Sequence, residues 1–172
     1  MKTFSVTTAI RATPEKIWAL LTHAPEYPSW NPTVEKVEGR IAAGEKVTVY
    51  PKLNPGRTFP VTVTEFKPGK AMTWTGGMPL GLFKGVRTFR LRRREDGEIE
   101  FVMREVFSGL LAPLIEKTIP DLQPAFDAFA AALKKTAENA RMRKISAERE
   151  RSPGHGRRRI EGGNASPFAM RG

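Results

Sequence analysis

The chain has 172 residues, 40% of them hydrophobic, with ten Phe, three Trp and two Tyr, which is material for one domain with a real core. It has no cysteine, which excludes disulfides, Cys-based zinc sites and a thiol nucleophile. The formal charge of +11 is uneven: residues 1–140 hold 20 Lys and Arg against 15 Asp and Glu, and residues 141–172 hold 9 against 3, so the basic balance is no argument for a nucleic-acid-binding domain.

In chain order, Phe4, Val6, Thr8 and Ile10 alternate with polar residues and predict a first strand. Thr13-Pro14-Glu15 opens a helix: Thr13 caps, Pro14 suits the first helical position, and Glu15 suits the positive end of the dipole. Ile17, Leu20 and Leu21 supply its apolar stripe. Ala24 to Trp30 is too rich in proline for more than a turn of helix. From Val34 the pattern has period two, with six strand candidates at Val34/Val37, Val47/Val49, Phe59/Val61/Val63, Met72/Trp74, Phe83 to Leu91, and Ile99 to Phe107. Turns are expected at Ala43-Gly44, Asn54-Pro55-Gly56, Pro68-Gly69, Gly76-Gly77 and Asp96-Gly97. Strands joined so tightly are antiparallel. Leu110 to Ile115 suits a short helical turn. Asp121 caps a long helix whose stripe is Leu122, Phe126, Phe129, Ala130, Leu133 and Ala137, with Lys134 and Lys135 on the opposite side.

From Arg141 the composition turns to Arg, Gly, Ser, Pro and Glu. Such a segment buries too little surface to offset its ordering entropy. The expectation is a domain over 1–145 and a basic disordered tail over 146–172. The start lacks the continuous apolar region of a secretory signal, and the longest apolar run, Ala128 to Leu133, is far short of the roughly 20 residues of a membrane span; a cytoplasmic protein without a transmembrane segment is expected. The fold expected is α+β, a seven-stranded curved antiparallel sheet wrapped on a long C-terminal helix, with two short helices after strand 1.

Several segments resemble the START-like (SRPBCC) superfamily, which includes polyketide cyclase/dehydrase-like and carbon-monoxide-dehydrogenase-subunit-G-like proteins. Ile10-Arg11-Ala12-Thr13-Pro14-Glu15-Lys16-Ile17-Trp18 resembles its opening, and Tyr27-Pro28-Ser29-Trp30-Asn31-Pro32 its Tyr-Pro-x-Trp-Asn-Pro segment. Arg104 to Leu111 resembles its last strand and exit, and Phe126 to Lys134 the start of its closing helix. The resemblance covers about 1–140. It implies the helix-grip fold with an apolar cavity between sheet and helix, and members that bind lipids, sterols, polyketides or hormones, a minority acting as enzymes.

Parity places Phe83, Gly85, Arg87, Phe89 and Leu91 on one face of their strand, and Phe101, Met103, Glu105 and Phe107 on one face of the next. Arg87 and Glu105 thus share the face that carries the aromatics, where a charge is costly unless paired or wet. They read either as a handle for a ligand carboxylate or hydroxyl or as a structural ion pair near the mouth. Family members often have His at the position of Arg87. Trp74, Met72, Phe83, Phe89, Met103, Phe107, Phe126 and Phe129 read as core packing or as a cavity lining. The ligand-binding candidates are therefore Trp74, Arg87, Phe89, Met103, Glu105, Phe107, Phe126 and Phe129. Trp30 is expected to cover one end of the core, and Asn31, before Pro32, to leave in extended conformation. His23, the one histidine of the domain, lacks a catalytic partner. No Gly-x-Ser-x-Gly elbow, His-x-x-x-His pair or phosphate-binding Gly loop occurs. No metal or cofactor is expected, and catalytic residues are unassigned. The leading expectation is a carrier or sensor of a small hydrophobic molecule. The alternatives are a cyclase/dehydrase- or hydrolase-type enzyme using the same cavity, and an interaction module whose Arg157-Arg158-Arg159 tail contacts nucleic acid or an anionic membrane.

Overall fold

The computed structural model describes residues 1–115 and 117–151, with side chains of the last helix as far as residue 139. Strand β1 (Lys2–Ile10) leads into α1 (Pro14–Thr22), a 3-10 turn (Ala24–Glu26) and the single-turn helix α2 (Tyr27–Trp30). Six strands follow: β2 (Val34–Glu38), β3 (Lys46–Pro51), β4 (Phe59–Lys67), β5 (Ala71–Gly77), β6 (Lys84–Arg93) and β7 (Ile99–Ser108). A short α3 (Ala112–Ile115) and the long α4 (Gln123–Arg151) close the chain. The strands form one antiparallel sheet in the order β1-β7-β6-β5-β4-β3-β2. This is the expected helix-grip arrangement. Among the described residues no helix is long and apolar enough to cross a membrane.

Local chemistry sets the elements where the sequence signals them. Thr13 has extended backbone and its hydroxyl accepts from the Lys16 N–H, capping α1. Gly44, Gly56, Gly69 and Gly97 all have positive φ at the expected turns. Gly76-Gly77 is a correction. Both belong to β5, paired with Gly85 and Lys84, and the chain turns after them at Pro79–Gly81. Close approach of backbones explains the glycines: a Cβ on Gly77 would stand 2.2 Å from the Phe83 carbonyl oxygen, and one on Gly76 2.9 Å from that of Pro60.

Helix α4 lies along β1 on the concave face. Asp121 Oδ1 accepts from the Gln123 N–H, and the Gln123 side-chain amide donates to Ser5 O. Further along, Lys134 donates to Ala9 O and the Arg11 N–H donates to Glu138 Oε1. Lys134 is therefore tied to the sheet and not turned wholly to solvent as its helical position suggests. Phe126, Phe129, Ala130, Leu133 and Ala137 are buried, the expected stripe. The helix backbone continues to Arg151, past the expected limit at 145; the rest of the expected tail, 152–172, lies outside the described residues.

Candidate functional site

Strand register sorts the concave face into rows. One row is Phe4, Glu105, Arg87, Trp74 and Val63, each opposite the next on neighbouring strands. The row toward the start of β1 is Lys2, Phe107, Gly85 and Gly76. Since α4 begins against Ser5, this second row lies beyond the helix, where Lys2 Nζ donates to Ile119 O in the segment before α4. Gly85 leaves room for the Phe107 ring, whose Cε1 would stand 3.2 Å from a Cβ there. Phe107 stacks on Phe83 at 5.7 Å and meets Phe4 edge-on at 6.3 Å.

Arg87 and Glu105 are brought together. Arg87 Nη2 lies 2.6 Å and Nε 3.1 Å from Glu105 Oε2, so one oxygen accepts both bonds. The side chains are 26% and 13% exposed, so the pair is mostly enclosed yet in touch with solvent. The Arg87 guanidinium also stands over the Phe126 ring, 5.1 Å from its centre. The pair stands on the concave face near the start of the helix and is a direct ion pair with partial exposure to solvent.

The structure gathers Trp74, Phe89, Met103, Phe126 and Phe129 in the buried core, with Phe107 partly buried against it. Trp74 meets Phe89 at 5.1 Å, Phe89 meets Phe129 at 6.1 Å, and Phe4 meets Phe126 at 6.1 Å. Trp30 does cover one end of this core, 5.2 Å from Phe129. Asn31 has extended backbone, and its Oδ1 accepts from both the Thr33 N–H and the Thr33 hydroxyl. Two surface depressions, of about 460 and 440 Å³, lie elsewhere: one is bordered by Leu20, His23 and Ala137, the other by Thr62, Thr75 and Gly77.

Tyr27 is the residue that sequence reasoning missed. It is buried, its hydroxyl donates to Leu21 O at 2.7 Å, and its ring lies between Trp30 and Trp74. Burial pushes its phenol far above the usual tyrosine range, an effect that the Arg87 cation opposes. Its place in a Tyr-Pro-x-Trp turn hints at packing, but only the fold carries α2 to the sheet. His23 is exposed and 3.5 Å from Glu26, away from the concave row. Among the described residues no three His, Asp or Glu side chains cluster as metal ligands would.

The profile of the family described as polyketide cyclase / dehydrase and lipid transport matches residues 1–138. No curated protein matches the chain by sequence. Among solved structures, protein MLL2253 from Mesorhizobium loti is 19% identical with a TM-score of 0.63, covering 80% of this chain and 98% of that one. A START superfamily protein from Mycobacterium smegmatis is 14% identical, TM-score 0.58, covering 80% and 98%. The Aha1 protein from Colwellia psychrerythraea is 20% identical, TM-score 0.58, covering 80% and 97%. At these identities the likeness is one of fold.

Proposed function

The chain belongs to the polyketide cyclase/dehydrase and lipid transport family, and from that premise we propose that it takes up a small hydrophobic molecule between the sheet and α4, as a carrier or sensor. The observation that carries this reading is the row Phe4-Glu105-Arg87-Trp74 near the start of the helix: one mostly enclosed ion pair set among aromatic rings. Binding sites for small apolar molecules have this make-up, a mainly apolar lining with a few placed polar groups. Arg87 and Glu105 orient the polar end of the ligand. Trp74, Phe89, Met103, Phe107, Phe126 and Phe129 take its apolar body. Because these rings are in mutual contact, uptake parts α4 from the sheet at the end where it starts, and binding is coupled to that opening.

A carrier reading is favoured over an enzymatic one because the two ionic groups on the concave row are paired with each other and His23 stands away from that row. Native mass spectrometry of the purified chain tests the proposal. A bound apolar molecule, released unchanged on denaturation, is expected. Protein that carries none, and that takes up none from a panel of fatty acids, sterols and aromatic polyketides, overturns it. Turnover of a bound molecule would instead make the site catalytic.

A further inference from the structure

Among the described residues, three buried side-chain polar atoms have no hydrogen-bond partner in the chain: Trp30 Nε1, Asn31 Nδ2 and Trp74 Nε1. All three are N–H donors, on residues only 8%, 1% and 3% exposed. Buried donors are nearly always paired, because an unpaired one loses its water without replacement. Here the orphans share one sign and one neighbourhood. Trp30 and Asn31 end α2, and Trp74 is on β5. The Tyr27 ring lies 5.0 Å from Trp30 and 6.3 Å from Trp74. Phe129 and Phe89 complete a closed circuit of rings, with Trp30–Phe129 at 5.2 Å, Phe129–Phe89 at 6.1 Å and Phe89–Trp74 at 5.1 Å. The Tyr27 hydroxyl already donates to Leu21 O.

We infer that this aromatic circuit is the deep end of the ligand site and that it recognises a neutral acceptor oxygen, a carbonyl of ketone, ester or quinone type, on an apolar ring skeleton. The inference deepens the ligand-binding reading above and rests on it. The orphaned atoms supply donors and no acceptor, so a ligand presenting a hydroxyl as donor gains nothing from them. Arg87 is the cross-strand neighbour of Trp74, and Glu105 neutralises it. A carboxylate buried here would therefore meet no net positive charge, whereas a carbonyl needs none. A carbonyl oxygen entering among these rings supplies the acceptor that the chain itself does not. An apolar skeleton without oxygen supplies none.

The test uses the full chain and a matched pair of probes, 9-fluorenone and fluorene, which differ in one carbonyl. Affinities are measured by tryptophan fluorescence, and the three indole N–H signals are followed by nitrogen-15 NMR, with Trp18 as internal control because it packs on Phe66 outside the circuit. Fluorenone should bind about ten-fold more tightly than fluorene, the worth of one satisfied buried N–H. The Trp30 or Trp74 indole signal should move downfield with fluorenone and not with fluorene. Replacing by Phe whichever of Trp30 and Trp74 shows that shift should bring fluorenone down to the affinity of fluorene. The NMR comparison in the unmutated protein holds even if that variant does not fold. Equal affinities with unmoved Trp30 and Trp74 signals overturn the carbonyl inference and leave the ligand-binding reading standing. Failure of both probes to bind counts against that reading as well, and the carbonyl inference falls with it.

Discussion

Arg87 and Glu105 meet through a single carboxylate oxygen while keeping some contact with water. Removing one partner therefore leaves a charge that solvent reaches in part. Arg87→Met should cost about 1–2 kcal/mol, below the loss typical of a dry pair, and Arg87→Met with Glu105→Leu should recover most of it. Urea melts of the three variants measure this. Tyr27 gives a pH signature. Its phenol is held neutral by burial, so its folded pKa lies above the unfolded value of about 10. The neutral form thus supports the fold below that pH, and stability falls as pH rises above it, because the unfolded state releases the proton first. Tyr27→Phe should flatten that fall, while costing about 1 kcal/mol at neutral pH for the lost bond to Leu21 O. Urea midpoints at pH 7 and pH 11 read both effects. Leu80 is fully exposed yet has φ +58°, a conformation that costs a leucine about 1–2 kcal/mol. Leu80→Asn, which tolerates it, should raise stability by about 0.5–1 kcal/mol in a thermal melt.

In helix α4, Phe129 is the ring with most aromatic neighbours among the described residues. Phe129 touches Trp30, Phe89 and Phe101, so Phe129→Ala should cost about 3–5 kcal/mol, read from denaturant unfolding. The sheet and this helix were legible in the sequence because period two and period 3.6 report which faces are buried. Parity alone put Arg87 and Glu105 on one face, and the register makes them direct cross-strand neighbours. Gly76-Gly77 misled because glycine serves both turns and close backbone approach, and the second need arises from Phe83, across the following turn, and from Pro60 on β4. The site was legible only in part. Which residues face inward follows from alternation, but whether they fill the interior depends on how α2 and α4 settle, and neither helix carries that in its pattern. The place of Tyr27 between two indoles was hidden for the same reason.

At the scale of the whole molecule, the 1–138 stretch that matches the family holds the sheet and the buried stripe of α4. Residues 152–172 have a composition that supports no core. Their deletion should leave the melting temperature within about 4 °C, a change of roughly 1 kcal/mol for a domain of this size; a larger drop would show that they pack on the domain. The topology also sets an order of assembly. Strands β2 to β6 each pair with the strand next in sequence, whereas β1 pairs with β7, Lys2 opposite Phe107 and Ile10 opposite Ile99. At a ribosome adding about 5–20 residues per second, the first strand emerges many seconds before its partner has been translated. The meander can zip up behind it, one hairpin at a time. The first strand of the sheet thus waits for the last, and the nascent sheet carries an unpaired β-edge until β7 has been made.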